Sequence, residues 1–280
     1  MLELLVIGAL FAAPEAHPAP QWKLVWSDEF DRDGLPDEKK WGYETGFIRN
    51  HEMQYYTARR PENARVEAGK LIIEARKERL PNPSHDPTSK DWRRQRAHAE
   101  YTSAALVTLD KFHFRYGRIV VRAKLPPGKG TWPAIWTLGT SRGRIGWPGC
   151  GEIDVMEFVG KAPEHVHGTV HYSVGGKRQS SGNKLRTDRP ASDDFHVYEL
   201  RWSADRIEWY FDGKLYHRFD VSRADDAGRN PFREEHYLLI NLAMGGDWGG
   251  PIDDACLPAR YIVDYVRVYE WATSTTRPGG

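Results

Sequence analysis

The chain has almost no net charge: 40 Lys and Arg against 39 Asp and Glu leave +1 over 280 residues. Without a basic excess it lacks the electrostatic footprint of a nucleic-acid binder, and no nucleic-acid partner is expected. It also lacks a long hydrophobic run. The longest, Leu4–Ala13, is too short to span a bilayer, so no membrane partner is expected. Cysteine is scarce. Cys150 and Cys256 stand far apart with no CxxC pair, which excludes a cysteine-type zinc site. In an oxidising compartment the two could form one disulfide; in a reducing one they would be buried thiols, and spacing does not choose between these. There is no internal repeat and no heptad pattern, and few segments of helical period reach ten residues.

Aromatic residues, by contrast, are abundant. Eleven Trp, 13 Tyr and 10 Phe make 12% of the chain, far too many for a solvated coil. Flat sugar faces stack on indoles, although large β cores also use Trp. Residues 1–20 have the apolar run, small residues and prolines of a secretory signal peptide, which implies an extracellular or periplasmic protein. Residues 272–280 read as a tail. No linker interrupts 21–271, so one domain is expected there.

Within that domain, stretches alternate apolar and polar as half-buried strands do: Leu71–Arg76, Gly117–Lys124, His165–Tyr172, His196–Trp202, Arg206–Phe211 and Tyr261–Tyr269. Turn signals separate them, among them Gly175-Gly176, Gly245-Gly246 and Asp212-Gly213, the last a hairpin signal. Arg223–Arg233 is at most a short helix or turn. A dozen short strands with tight turns predict an all-β fold, a jelly-roll sandwich of two antiparallel sheets.

One segment carries chemistry: Glu152-Ile153-Asp154-Val155-Met156-Glu157-Phe158. In a regular strand the first two acids share a face and the third falls on the other. A β-bulge at Val155 or Met156 returns Glu157 to the face of Glu152 and Asp154, with Ile153 and Phe158 packed inward. Spacing alone is weak evidence in a chain with 39 acids, but no Lys or Arg lies between Gly146 and Gly160 to neutralise these three. Same-face carboxylates without cations repel one another, and such a cluster is most plausible where it does chemistry. The chemistry it suits is glycoside hydrolysis, with one carboxylate as nucleophile and another kept protonated as acid by its neighbours. Upstream, Trp132 and Trp136 lie four apart, on one face of an extended strand, as a stacking floor for successive sugars.

Together these residues resemble glycoside hydrolase family 16, and the E-x-D-x-x-E spacing resembles the bulged form of its laminarinases, the endo-β-1,3-glucanases. The likeness extends over Trp26–Phe30, Asn50–Tyr56, Tyr101–Leu106, Tyr116–Leu138, Gly168–Tyr172, Asn241–Gly246 and Asp264–Tyr269. It implies an open cleft across a concave sheet and retention of anomeric configuration. Glu152 would be the nucleophile, Asp154 its assistant and Glu157 the general acid/base. Trp132 and Trp136 would be sugar platforms, and His171 would face the carboxylates from a neighbouring strand. Asn50, Glu52 and Trp248 would contact sugar hydroxyls. The resemblance also implies a structural calcium ion at Glu29, Gly69 and Asp264, held mostly by backbone carbonyls and one carboxylate; the reaction itself requires no cofactor. Two departures stand out: Ala105 where the family usually has Arg, and His51 where it often has Asn.

The partner expected is a β-glucan polysaccharide, cut at internal β-1,3 bonds or in mixed-linkage β-1,3-1,4-glucan, by a monomer. Three alternatives remain. A relative acting on another polysaccharide, such as a sulfated galactan, should have basic cleft walls, and the even charge balance argues against that. A non-catalytic glucan-binding protein has no need of repelling acids. A transglycosylase is indistinguishable at the level of sequence.

Overall fold

The computed structural model describes residues 22–272. The leader-like segment 1–20 lies outside the described residues, as does all of the 272–280 tail but its first residue. Two β-sheets face each other. The larger runs in the order Lys214–Asp220, Arg206–Phe211, Phe195–Trp202, Gly117–Lys124, Ala259–Trp271, Lys70–Pro81, His98–Ser103 and Gln54–Tyr56. Trp22–Asp28 pairs with Ala259–Trp271, tying both ends of the described chain into one sheet. The pairings are antiparallel except one: Gln54–Tyr56 runs parallel to His98–Ser103, a departure from the wholly antiparallel sandwich expected.

The second sheet has seven strands and carries the site. At one edge is a basic strand, Lys177–Arg186. Next come a histidine strand, His165–Val174; the acidic strand, Glu152–Glu157; a tryptophan strand, Thr131–Gly139; and an asparagine strand, His236–Met244. Ala105–Val107 and Gly42–Glu44 complete it. The period of two sorts every strand into a core face and an outer face. Ile135, Ile153, Val166, Val170, Tyr172, Leu238, Ile240 and Leu242 meet Leu71, Ile73, Ile119, Val121, Leu200, Trp209, Tyr261 and Val263 in one continuous core.

The turns follow the sequence. Asp212 and Gly213, at φ 47° and 77°, make the primed turn that joins Arg206–Phe211 to Lys214–Asp220. Gly175 and Gly176, at φ 57° and 72°, turn the histidine strand into the basic strand. Arg223–Arg233 holds the end of one short 3-10 turn, Val221–Ala224, and the whole of another, Pro231–Arg233.

Cys150 and Cys256 are free thiols, so the disulfide considered from sequence is absent. They serve different places. Cys150 is buried with Trp136, Leu138 and Tyr237, whereas Cys256 packs so closely on Gly128 that a Cβ there would lie 2.2 Å from its own. Burial pushes the Cys150 thiol up to about 11. A thiol reagent at pH 8 should therefore modify Cys256 in the native protein and Cys150 only after unfolding. Mass spectrometry checks this, and no reaction even after denaturation would reveal a bridge.

Candidate active site

The acidic strand departs from regular pairing at one residue. On the tryptophan-strand side Glu152 faces Leu138, Asp154 faces Trp136, Met156 faces Ile135 and Glu157 faces Ala134; Val155 has no partner. On the other side the register steps from Asp154 opposite Thr169 to Glu157 opposite His167. Val155 is thus the extra residue of a bulge. Val155 and Met156 both enter the core, and the chain turns Glu157 outward again. The Trp209 indole N–H, reaching from the opposite sheet, donates to the Asp154 carbonyl at 2.7 Å and pins the strand at the bulge.

Glu152, Asp154 and Glu157 consequently line one cleft of about 260 Å³. Trp132, Ala134, Trp136 and Leu138, every second residue of the tryptophan strand, line it too. Arg49, Asn50, Glu52, Arg142, Trp147 and Asn241 complete its wall.

Each acid has a distinct set of contacts. Trp147 Nε1 donates to Glu152 at 3.0 Å and Trp132 Nε1 donates to Glu157 at 3.1 Å. His171 sits opposite Glu152 in the ladder, its Nε2 3.4 Å from an Asp154 oxygen and 3.8 Å from a Glu152 oxygen. Burial, then the charge of Asp154, pushes the Glu152 carboxyl up to about 8, while His171, Arg49 and the Trp147 hydrogen bond pull it back. Burial raises Asp154 as well. Glu157 is raised well above the carboxylate range by burial and by both other acids, against only the Trp132 N–H and His171. Glu152 is therefore the better supported anion and Glu157 the better proton holder.

The remaining predicted residues fall into three groups. Asn50, Glu52 and Trp132 line the cleft, with Asn50 Nδ2 donating to Glu52 at 3.2 Å. Glu52 is buried and also accepts from Gln54 Nε2 at 2.7 Å, so it braces the wall as well as facing it. Trp248 is not itself in the wall but stands edge-on against Trp132, ring centroids 5.3 Å apart. Trp136 differs from the open platform expected. The Arg49 guanidinium lies 4.9 Å from its ring centroid, and its indole N–H is tied to Asn241 Oδ1 at 2.7 Å.

Three site residues escaped the sequence reading. Trp147 lies five positions before Glu152, in the loop that leads into the acidic strand. Arg49 holds Glu44 and covers Trp136, on the sheet where Ala105 provides no cation. Asn241 sits in a segment whose likeness was noted without a role. Spacing along a single strand cannot reveal partners that arrive from other loops.

Of the positions considered for calcium, the carboxylate of Asp264 is already engaged by cations. Asp264 accepts from Arg122 at 2.6 Å and lies 3.8 Å from Lys70 Nζ. Glu29 takes both N–H groups of Arg267 at 2.9 and 2.8 Å. Gly69, at φ 70°, serves a turn. Carboxylates already neutralised by cations make poor ligands for calcium. Excess EDTA should leave the melting temperature unchanged in calorimetry; a clear fall would show that a cation is held there.

The profile of glycosyl hydrolases family 16 matches residues 51–267. The chain belongs to that family. Across glycosyl hydrolases family 16 it is similar to a beta-glucanase of Rhodothermus marinus, 44% identical over 97% of this chain and 93% of the relative. The solved laminarinase of Rhodothermus marinus superposes with a TM-score of 0.77 at 45% identity, covering 91% of this chain and 99% of that one. A structure from a study of endo-acting mucin O-glycanases of the human gut microbiota superposes with a TM-score of 0.84 at 38% identity, over 92% and 94% of the two chains. The laminarinase structure carries the two-sheet jelly roll described above.

Proposed function

We propose that this chain is a retaining, endo-acting glycoside hydrolase that cleaves internal β-1,3 bonds of β-glucan. The observation that carries the reading is the Val155 bulge, which sets three carboxylates on one wall of an aromatic cleft. Glu152 attacks the anomeric carbon as the bond to the leaving oxygen breaks. Glu157 gives its proton to that oxygen. Water then attacks the glycosyl–Glu152 ester, Glu157 takes the proton, and the sugar leaves with its original configuration. Asp154, between the two and beside His171, orients Glu152 and keeps Glu157 protonated through its charge. Trp132, backed by Trp248, offers the sugars an aromatic wall, and Asn50 and Asn241 offer hydrogen bonds. The similarity to a laminarinase and a beta-glucanase supports the choice of β-1,3-glucan. The leader-like residues 1–20 support secretion, and we take the working form to be a monomer.

Incubation with laminarin, mixed-linkage β-glucan, agarose and mucin O-glycans, followed by sizing of the products, tests the reading. Short oligomers from laminarin are expected. Cleavage of mucin glycans alone would move the substrate toward that of the O-glycanase-like neighbour, and tight laminarin binding without cleavage would make the protein a lectin.

A further inference from the structure

The cleft does not stop at the acids. Cross-strand partners share a face of a sheet. Pairing therefore draws a continuous row on the outer face: Asn241, Ala134, Glu157, His167 and Lys184. His171 reaches the acids, so His167 and His165, four and six residues earlier on the same strand, share its face. Their partners on the basic edge strand, Lys184 and Arg186, share it too, and so does Arg178, opposite Ser173. Arg178 confirms the placement directly, because its guanidinium lies 4.6 Å from the ring centroid of Trp147 in the cleft wall.

The edge strand of this face is basic. No Asp or Glu occurs from His165 to Arg186. Arg186 has one carboxylate nearby, Glu164 at 3.4 Å; among the described residues neither Arg178 nor Lys184 has an ion-pair partner. All three cations are exposed. Aromatic rings lead toward them from Glu157: Trp132 meets Trp248 at 5.3 Å, and Trp248 meets His167 at 4.9 Å. Burial and the charges of His165 and Lys184 lower His167 to about 4, so at neutral pH it is an uncharged wall. Edge strands commonly carry charge to prevent pairing with other chains, but either sign and either face would serve that purpose. Here Lys184 and Arg186 stand next but one on the face that carries the cleft, two strands from the acids, or about 9–10 Å, while Arg178 lies six residues, or about 20 Å, further along the strand.

We propose that Lys184 and Arg186, next but one on the same strand face, form a distal subsite for an anionic group, a sulfate ester or a carboxylate, borne by a sugar beyond the scissile bond. The preferred polymer is then an anionically substituted glycan. Guanidinium and ammonium donors suit both groups. The overall charge of +1 conceals this wall because acids elsewhere balance it. The inference rests on the reading of the acids as a hydrolytic centre only in locating the substrate, so binding can be measured separately.

The test uses the Glu152→Gln protein with neutral, sulfated and carboxymethylated laminarin in affinity electrophoresis. Charged glucans should bind about five- to tenfold more tightly at low salt, and the advantage should vanish near about 0.5 M NaCl. The double variant Lys184→Gln/Arg186→Gln should abolish the advantage. Lys177→Gln, which removes a charge from the opposite face of the same strand, should preserve it. Preference for only one charged glucan identifies the group recognised. Equal affinity for neutral and charged glucans, or an equal loss in Lys177→Gln and the double variant, would overturn the subsite. Wild-type protein that cleaves none of these glucans yet keeps the charged preference would refute the β-glucanase reading and leave the subsite standing.

Discussion

Glu152→Gln is expected to lower turnover of laminarin by about 10⁴-fold or more, the loss typical of removing a covalent nucleophile. The variant should still bind laminarin, because the amide preserves the shape of the wall. It can still accept the Trp147 N–H that Glu152 accepts at 3.0 Å. A second readout has the opposite sign. The folded-state pKa of Glu152 lies near 8, above the ordinary value of 4.5, chiefly through burial. A carboxyl raised in the folded state destabilises the fold once it must ionise, so its contribution is harmless below about pH 4.5 and is lost progressively as pH rises toward 8. The neutral amide escapes that penalty. At pH 8 the variant should therefore be more stable than wild type by roughly 1–3 kcal/mol, several degrees in a domain of this size, with the advantage gone at pH 4. Activity assays and calorimetry at the two pH values check both halves. A variant both inactive and destabilised at pH 8 would point to damaged packing instead.

Glu157→Gln is expected to cost about 10²- to 10⁴-fold on polysaccharide, because the leaving sugar oxygen is no longer protonated. The loss should shrink on an aryl glycoside whose phenolate leaves unaided, leaving deglycosylation as the slow step. The pH profile supplies a second signature. Glu157 is held protonated by burial and by the charges of Asp154 and Glu152, so wild-type kcat/KM falls on the alkaline side as that proton is lost. The variant has no such proton and should lose the alkaline limb while keeping the acid limb set by Glu152. A profile that keeps its alkaline limb would assign the proton to another group.

Both arguments depend on features that differ in how far sequence reveals them. The bulge was legible because two consecutive apolar residues, Val155 and Met156, separate the second acid from the third, and a regular strand cannot bury both on one side. The hairpin at Asp212-Gly213 was legible because its chemistry fixes the turn locally. The short parallel pairing of Gln54–Tyr56 was not, since nothing in three residues encodes the direction of a distant partner. The Arg49 contact on Trp136 was hidden for a similar reason: strand periodicity puts the ring on the cleft side, where it lies, but does not reveal that Arg49 from a separate loop lies over it. The basic wall was hidden by averaging, because a whole-chain charge balance says nothing about which side chains the register gathers on one face.

The most direct test asks which carboxylate becomes bonded to sugar. Glu157→Gln is incubated with an activated laminaribiosyl fluoride, digested with pepsin and mapped by mass spectrometry. The glycosyl mass should sit on the peptide that contains Glu152, and fragmentation should place it on that side chain. Label on Asp154 or elsewhere, or no adduct together with a product of inverted anomeric configuration, would contradict the assignment of a bulge-assembled nucleophile and acid.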